Sequence, residues 1–155
     1  MATVDKFVTI VTSSGDYQGT INLNLSQLPV DRVSDLFVKS DINFLPLYDT
    51  VVKGQNGKEI LVNVQDIAAV IPHDKIIPPS PELRQDVQIT VKLKFGLGQL
   101  RGKVNLLGET QQLDRISDLL NFPGKRWLIL YETNYKANPI QAAILNLDFI
   151  STIED

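Results

Sequence analysis

One motif occurs twice in this sequence at a fixed spacing. Residues 31–36 read Asp-Arg-Val-Ser-Asp-Leu, and residues 114–119, which lie 83 positions later, read Asp-Arg-Ile-Ser-Asp-Leu. The same offset aligns Gly19 with Gly102, and many apolar positions around them, without a gap. An offset that holds through both loop and core positions indicates internal duplication. We therefore expect the chain to fold as two copies of one small module.

The composition narrows the chemistry that such a chain can perform. It contains no Cys and a single His, which excludes disulfides, thiolate nucleophiles and most zinc sites. The net charge of −3 gives no overall attraction to nucleic acid or to membranes. No apolar run approaches the about 18 residues that span a bilayer, and no leader opens the chain. We expect a cytoplasmic protein without a membrane segment, a metal or a cofactor.

A proline-rich stretch separates the two copies. Three prolines fall between Pro78 and Pro81, and such a run favours an extended and fairly stiff connection. The sequence therefore predicts a first repeat over residues 1–72, a linker over 73–86 and a second repeat over 87–155.

Each repeat is predicted to open with a β-hairpin. Residues 91–95 and 100–106 alternate apolar with polar or charged residues, which is the period of a half-buried strand. Folding this hairpin about Leu97 and Gly98 places Phe95 opposite Leu100 on the inward face. In the first repeat, the equivalent folding places Val8 opposite Ile21. Gly19 and Gly102 then fall in mid-strand facing inward, where glycine indicates a sharp bend or a closely approaching backbone.

The motif itself is predicted to form a short helix between the second and third strands. Asp31 can cap the first turn, and Val33, Leu36 and Phe37 then share one side of the helix. Three further strands follow in each repeat. The predicted fold is therefore mainly β, with two tandem five-stranded small barrels of the SH3 or Sm-like kind.

Two stretches carry a resemblance to a known family. Residues 8–23 resemble the first hairpin of the Sm-like proteins, and residues 60–72 resemble that family's last two strands. The resemblance implies a small β-barrel. The Arg-Gly pair that contacts bases in that family has no match here, because Asn63 and Val64 stand in its place. The sequence also resembles an uncharacterised bacterial repeat family with an Arg-x-Ser-Asp-Leu core, which implies no activity.

The candidate site residues fall into two groups. Arg32 and Arg115 belong to the repeated motif, which either stabilises each helix through caps and ion pairs or forms a repeated binding surface. The other group is predicted to form a basic face on the hairpin of the second repeat, with directly opposed like charges: Lys92, Lys94, Arg101 and Lys103. That face is either a solvated surface or a site for anions and acidic partners. The lone His73 has no evident partner for catalysis or metal binding.

No nucleophile, metal or cofactor constellation is visible, so a non-enzymatic role is expected. The leading hypothesis is a protein-interaction or assembly module that binds a protein partner, with homo-oligomers left open, since small barrels offer strand edges for pairing. The alternative is weak RNA or DNA binding through the basic face of the second repeat.

Overall fold

The strands follow from the alternating apolar pattern, and they form two separate units. The computed structural model describes residues 3–24, 37, 42–52, 55–73, 82, 85–106, 120–121 and 125–154. The chain divides into two compact units, Met1–Asp74 and Lys75–Asp155. The predicted mainly β fold is confirmed, because nearly all described residues lie in antiparallel strands.

The described part of unit 1 has five strands, with a short 3-10 helix, η1, between the last two of them. The hydrogen-bonded order of its strands is β5-β1-β2-β3-β4. The elements are β1 (Thr3–Thr12), β2 (Gly15–Asn24), β3 (Phe44–Val52), β4 (Gln55–Asn63), η1 (Val64–Asp66) and β5 (Ile67–Pro72).

Unit 2 has the same sequence of elements and the equivalent strand order, β10-β6-β7-β8-β9. Its elements are β6 (Asp86–Leu93), β7 (Gln99–Asn105), β8 (Trp127–Tyr135), β9 (Asn138–Asn146), η2 (Leu147–Phe149) and β10 (Ile150–Glu154). The bounds of β8, β9 and η2 lie 83 positions after those of β3, β4 and η1. A residue 83 positions away in the other unit is called a counterpart below.

The core of each unit consists of the inward-facing side chains of its strands. In unit 1, Val8, Ile10 and Ile21 from the first hairpin are buried, as are Leu45 and Leu47 of β3. The buried side chains of unit 2 are also aliphatic and include Ile89, Val91, Leu100, Leu128 and Leu130. Burial of apolar area at every second residue is the main term that stabilises such a sheet.

Gly19 and Gly102 lie where two neighbouring strands approach most closely. A Cβ atom on Gly19 would lie 2.7 Å from the carbonyl oxygen of Tyr48 and 2.7 Å from Cγ of Leu47. On Gly102 it would lie 2.7 Å from the carbonyl oxygen of Tyr131. Of the two alternatives that the sequence left open, a sharp bend or a close backbone, the structure shows a close backbone at both glycines, and only a residue without a side chain fits there.

Asn63 and Asn146 cap the 3-10 helices. Asn63 Oδ1 accepts a hydrogen bond of 3.0 Å from the backbone N–H of Gln65, and Asn146 Oδ1 accepts one of 3.0 Å from Asp148. Both turns therefore use the asparagine side chain to satisfy an N–H group at the start of the helix.

The register of the two hairpins differs from the prediction and also differs between the units. In unit 1 Val8 pairs with Gly19, and in unit 2 Val91 pairs with Leu100. Gly102, the counterpart of Gly19, pairs with Ile89. Strand β6 thus corresponds to β1 at an offset of 81 rather than 83, because the chain between Ile89 and Gly102 has two more residues than the chain between the equivalent pair, Val8 and Gly19.

The physical reason for this error is the period of a strand. The predicted and observed registers differ by an even number of residues, so both place the same side chains on the inward face. The alternating pattern therefore cannot distinguish them. The connections at the ends of the hairpins distinguish the registers. Thr12 pairs with Gly15 across a two-residue turn, whereas Lys92 pairs with Gln99 across a longer loop.

Several predictions fall outside the described residues or are not tested by them. The helix predicted over each Asp-Arg-x-Ser-Asp-Leu motif lies outside the described residues, as do Arg32 and Arg115; Phe37 is described and is buried. Most of the predicted linker also lies outside them, although Asp86 is the first residue of β6. To close a unit into a barrel, the strands at the two ends of its order, such as β5 and β4 in unit 1, would have to pair. No such pair occurs among the described strand pairings.

Candidate functional site

The predicted basic face lies on the outer side of β6 and β7. Lys92 and Arg101 are exposed, and Lys103 is half-buried. Their opposite neighbours are uncharged, because Lys92 pairs with Gln99, Arg101 with Thr90 and Lys103 with Gln88. The prediction that like charges oppose each other directly is therefore wrong, and the two additional residues of this hairpin are the reason.

Neighbouring groups moderate the charge of this face. Lys103 Nζ lies 2.6 Å from a carboxylate oxygen of Glu132, and Arg101 donates a 2.8 Å hydrogen bond to the Thr90 hydroxyl. Lys92 and Lys94 are exposed and take part in no ion pair within the described part of the chain. The face is therefore a group of cations spread along the hairpin, with one of them neutralised by an acid.

Phe95 does not point into the core. It sits in the β6–β7 loop with a φ of 60°, and 73% of its surface is exposed. Its ring contacts the ring of Phe149 edge-on at a centroid distance of 5.8 Å. The prediction that Phe95 faces Leu100 in the core is wrong, because residues 94–98 form the loop and Val91 occupies the position opposite Leu100.

A second surface, which the sequence reading missed, lies on the outer face of β3 and β4 in unit 1. We call it the apolar patch; it consists of Phe44, Pro46, Tyr48 and Leu61. Phe44 is 54% exposed and Leu61 is 62% exposed, and Pro46 pairs directly with Leu61 across the two strands. Inward neighbours on the same strands, such as Leu45 and Val62, are buried. The patch is thus distinct from the core.

The counterparts of the apolar patch keep its character but not its exposure. They are Trp127, Ile129, Tyr131 and Ile144, and Ile129 pairs with Ile144 as Pro46 pairs with Leu61. Trp127 is only 6% exposed and Ile144 is 0% exposed. Ile129 and Tyr131 are half-buried, so the residues of this surface are less exposed in unit 2 than in unit 1. Comparing the residue types at positions 83 apart could have found the patch, but not this difference in burial.

The apolar patch borders a cleft and the outer edge of β4, which pairs with no other strand among the described residues of unit 1. Strand β4 lies at the end of the order of unit 1 and pairs with β3. Leu61 also lines a cleft beside Tyr17 at the hairpin and Asp66 in η1. A strand edge with exposed N–H and C=O groups next to apolar side chains is the arrangement on which an added strand can dock.

His73 is held by neighbours within unit 1. Its Nε2 lies 2.7 Å from the Thr9 hydroxyl, its backbone N–H donates to the Phe7 carbonyl at 3.0 Å, and its ring packs edge-on against Phe7 at 4.7 Å. These contacts extend the pairing of β5 with β1. Among the described residues, no three His, Asp or Glu side chains form a group that could hold a metal ion.

In the part of the chain that the structure describes, no helix has the length and apolar character needed to cross a membrane. Comparison with known protein families, curated proteins and solved structures found no match.

Proposed function

We propose that this chain is a non-enzymatic protein-interaction module that binds its partner through the apolar patch and the edge of β4. The observation that carries the proposal is the exposure of Phe44 and Leu61, whose counterparts Trp127 and Ile144 are buried. Leaving such side chains in water forgoes about 1.5–3 kcal/mol for each one that a partner would bury fully. Clustered exposed apolar residues beside a strand edge that no described strand of unit 1 occupies therefore favour association with another protein.

The architecture that supports this role is a pair of small modules. We infer that the two units are copies of one SH3 or Sm-like barrel, as the sequence suggested. Three observations support the inference: the equivalent strand orders, the 3-10 helix before the last strand of each unit, and the 83-position spacing of β3, β4 and η1 from β8, β9 and η2. The bend that closing a small barrel needs would occur at Gly19 and Gly102.

The test is capture of partners with the full chain as bait. Wild type is compared with Leu61→Lys, which places a charge in the apolar patch, and with Gln88→Lys, which makes the same change of charge on the exposed outer face of β6. We expect a partner that binds wild type and Gln88→Lys but not Leu61→Lys. If every captured protein binds Leu61→Lys equally well, the apolar patch is not the binding surface.

A second candidate function, nucleic-acid binding, is favoured by one observation. Phe95 is exposed beside Lys94 and close along the hairpin to Lys92 and Arg101, so an aromatic ring is available to stack on a base among cations. Three such cations would give a slope of log affinity against log salt of about −2 on single strands. The negative net charge opposes long-range attraction, so the expected binding is weak.

This candidate is tested by titrating single-stranded RNA and DNA at low and near-physiological salt. The variants are Phe95→Asn and a quadruple change of Lys92, Lys94, Arg101 and Lys103 to Gln. Submicromolar binding that survives physiological salt and disappears in both variants would establish nucleic-acid binding at this hairpin. Binding that is equal in wild type and Phe95→Asn would remove the stacking role of the ring.

A further inference from the structure

The cleft beside the apolar patch has the size of a single side chain. Its volume is about 280 Å³, just below the roughly 300–1,000 Å³ that is typical of small-molecule sites. Leu61 belongs to both the apolar patch and the cleft, and Tyr17, Ile60 and Val62 add further apolar surface to the cleft. A partner that covers the apolar patch therefore also covers this cleft, and it loses packing contacts unless one of its side chains fills the space.

A carboxylate lies at the polar end of the cleft. Two other polar side chains that line it are engaged locally, because Thr12 Oγ1 donates to the Gly15 carbonyl at 2.8 Å and Asn63 Oδ1 accepts from the Gln65 N–H at 3.0 Å. Asp66 is exposed, and within the described part of the chain no cation pairs with its carboxylate. Asp66 can therefore accept a hydrogen bond from a donor group that enters the cleft.

Strand pairing locates the equivalent of this cleft in unit 2. In unit 1 the last residue of β1, Thr12, pairs with Ile67, the first residue of β5. In unit 2 the last residue of β6, Leu93, pairs with Ile150, the first residue of β10. The equivalent of the cleft in unit 2 therefore lies between the loop that follows Leu93 and the 3-10 helix that precedes Ile150.

Two phenylalanine rings meet at that place in unit 2. Phe95 stands where unit 1 has Ser14, two residues after the strand, and Phe149 stands where unit 1 has Asp66, at the end of the 3-10 helix. The two rings pack edge-on at a centroid distance of 5.8 Å, and Phe149 is 8% exposed. Ser14 and Asp66 are smaller, and both are exposed. Unit 2 thus holds aromatic side chains of its own where unit 1 has a cleft.

From these observations we propose that the cleft binds an aromatic side chain of the partner that carries a hydrogen-bond donor, tyrosine or tryptophan. The proposal rests on the function proposed above and names the chemical group that the partner presents at that surface. The ring of the partner packs against Leu61 and Tyr17, and its O–H or N–H donates to Asp66. Tyrosine and tryptophan suit such a site because each combines a large apolar ring with one polar group.

The carboxylate and the apolar wall together select this occupant over others. A leucine or phenylalanine side chain would cover Asp66 without donating to it, and a carboxylate that is removed from water without a partner is disfavoured. An arginine side chain would pair with Asp66, but its narrow stem covers less of the apolar wall at Leu61 than a ring does. Only a ring with a donor satisfies both ends of the cleft.

The test is titration of the isotope-labelled full chain with N-acetyl amides of single amino acids, followed by NMR chemical shifts. The probes are the amides of tyrosine, tryptophan, phenylalanine, leucine and arginine. Asp66→Phe fills the cleft with the ring that unit 2 has at this position. Gln65→Phe is its control, because it adds the same ring at an exposed neighbour that does not line the cleft. Asp66→Ala removes the carboxylate and keeps the cleft open. Thermal melting shows that every variant is folded.

The tyrosine and tryptophan amides are expected to shift the amide signals of Ser14, Leu61 and Asp66, and to bind at least ten-fold more tightly than the leucine and arginine amides. In wild type the phenylalanine amide should bind less tightly than the tyrosine amide. Asp66→Ala should bind these two probes equally, because the acceptor that distinguishes them is gone. Asp66→Phe should weaken binding of the tyrosine amide at least ten-fold, and Gln65→Phe should leave it unchanged.

Three results would overturn the aromatic site. The first is binding of the tyrosine and tryptophan amides that is no tighter than that of the leucine amide. The second is an arginine amide that binds more tightly than the tyrosine amide, which makes the cleft a site for cations. The third is a captured partner that requires Leu61 but binds Asp66→Phe as well as it binds wild type; the proposed function then survives, and the cleft has no part in it.

Discussion

Replacing Gly19 or Gly102 by alanine should destabilise the protein. In most strands the same replacement is stabilising, because glycine weakens a strand. Both residues lack a positive φ, so alanine is compatible with the backbone there. The obstacle is space, because the added Cβ would lie 2.7 Å from a carbonyl oxygen of the neighbouring strand at each site. That oxygen belongs to Tyr48 or Tyr131, and both residues lie in strands that pair on their other side, β3 with β4 and β8 with β9. Tyr131 itself pairs with Ala142, whereas Tyr48 lies in the irregular stretch of the β3–β4 pairing between Leu47 and Thr50.

The expected loss follows from two opposing effects. Forcing a methyl group into a packed site costs about 1–3 kcal/mol, and the upper half applies here because backbone rather than a flexible side chain must move. Replacing glycine by alanine restricts the unfolded chain and returns about 0.4–1 kcal/mol. The net loss is about 2 kcal/mol, which corresponds to a melting temperature lower by about 4–8 °C for a chain of this size.

Urea unfolding followed by two signals measures this loss. Trp127 is the only tryptophan and lies buried in β8, so its fluorescence reports on unit 2 and on Gly102→Ala. Far-UV circular dichroism reports on both units and on Gly19→Ala. Gly57→Ala is the control, since a Cβ there meets no atom within 4 Å and its cost comes from a φ of 80° alone. Free energies of unfolding within about 0.5 kcal/mol of wild type for both variants would refute the close approach.

Three further predictions concern individual residues. Asn146→Ala should lower the free energy of unfolding by about 1–2 kcal/mol, because a buried cap is lost, and Asn63→Ala should lower it less because Asn63 is partly exposed; urea unfolding of both variants gives the difference. Ala137→Gly should raise the free energy of unfolding by about 1 kcal/mol, because Ala137 has a φ of 65° in an exposed two-residue turn, a conformation that favours glycine. A melting temperature of Ala137→Gly below that of wild type would contradict this prediction. Arg32→Ala should lower the melting temperature if the repeated motif is structural, and an unchanged melting temperature with lost partner binding would make the motif a binding surface.

Much of the local structure could be predicted from the sequence because it depends on residue type and short-range period. Alternation of apolar residues predicted the strands, and the inward position of Gly19 and Gly102 indicated either a sharp bend or a close backbone, of which the structure shows the second. Asparagine is a residue type typical of turns, and the asparagines before the 3-10 helices satisfy turn backbone through Oδ1. The 83-position offset marked the elements that recur with equal spacing. All of these features depend either on residues that are close in the sequence or on similar residues that lie 83 positions apart.

Hairpin register and surface exposure depended on the tertiary structure. A shift by an even number of residues keeps every side chain on its own face, so the sequence pattern allowed several registers, and only the observed pairing placed Phe95 in solvent and separated the lysines. Leu61 and Ile144 are similar residues at counterpart positions, yet one is exposed and the other buried. Residue type determines which face of a strand is apolar, whereas the covering of that face depends on what the folded chain places over it.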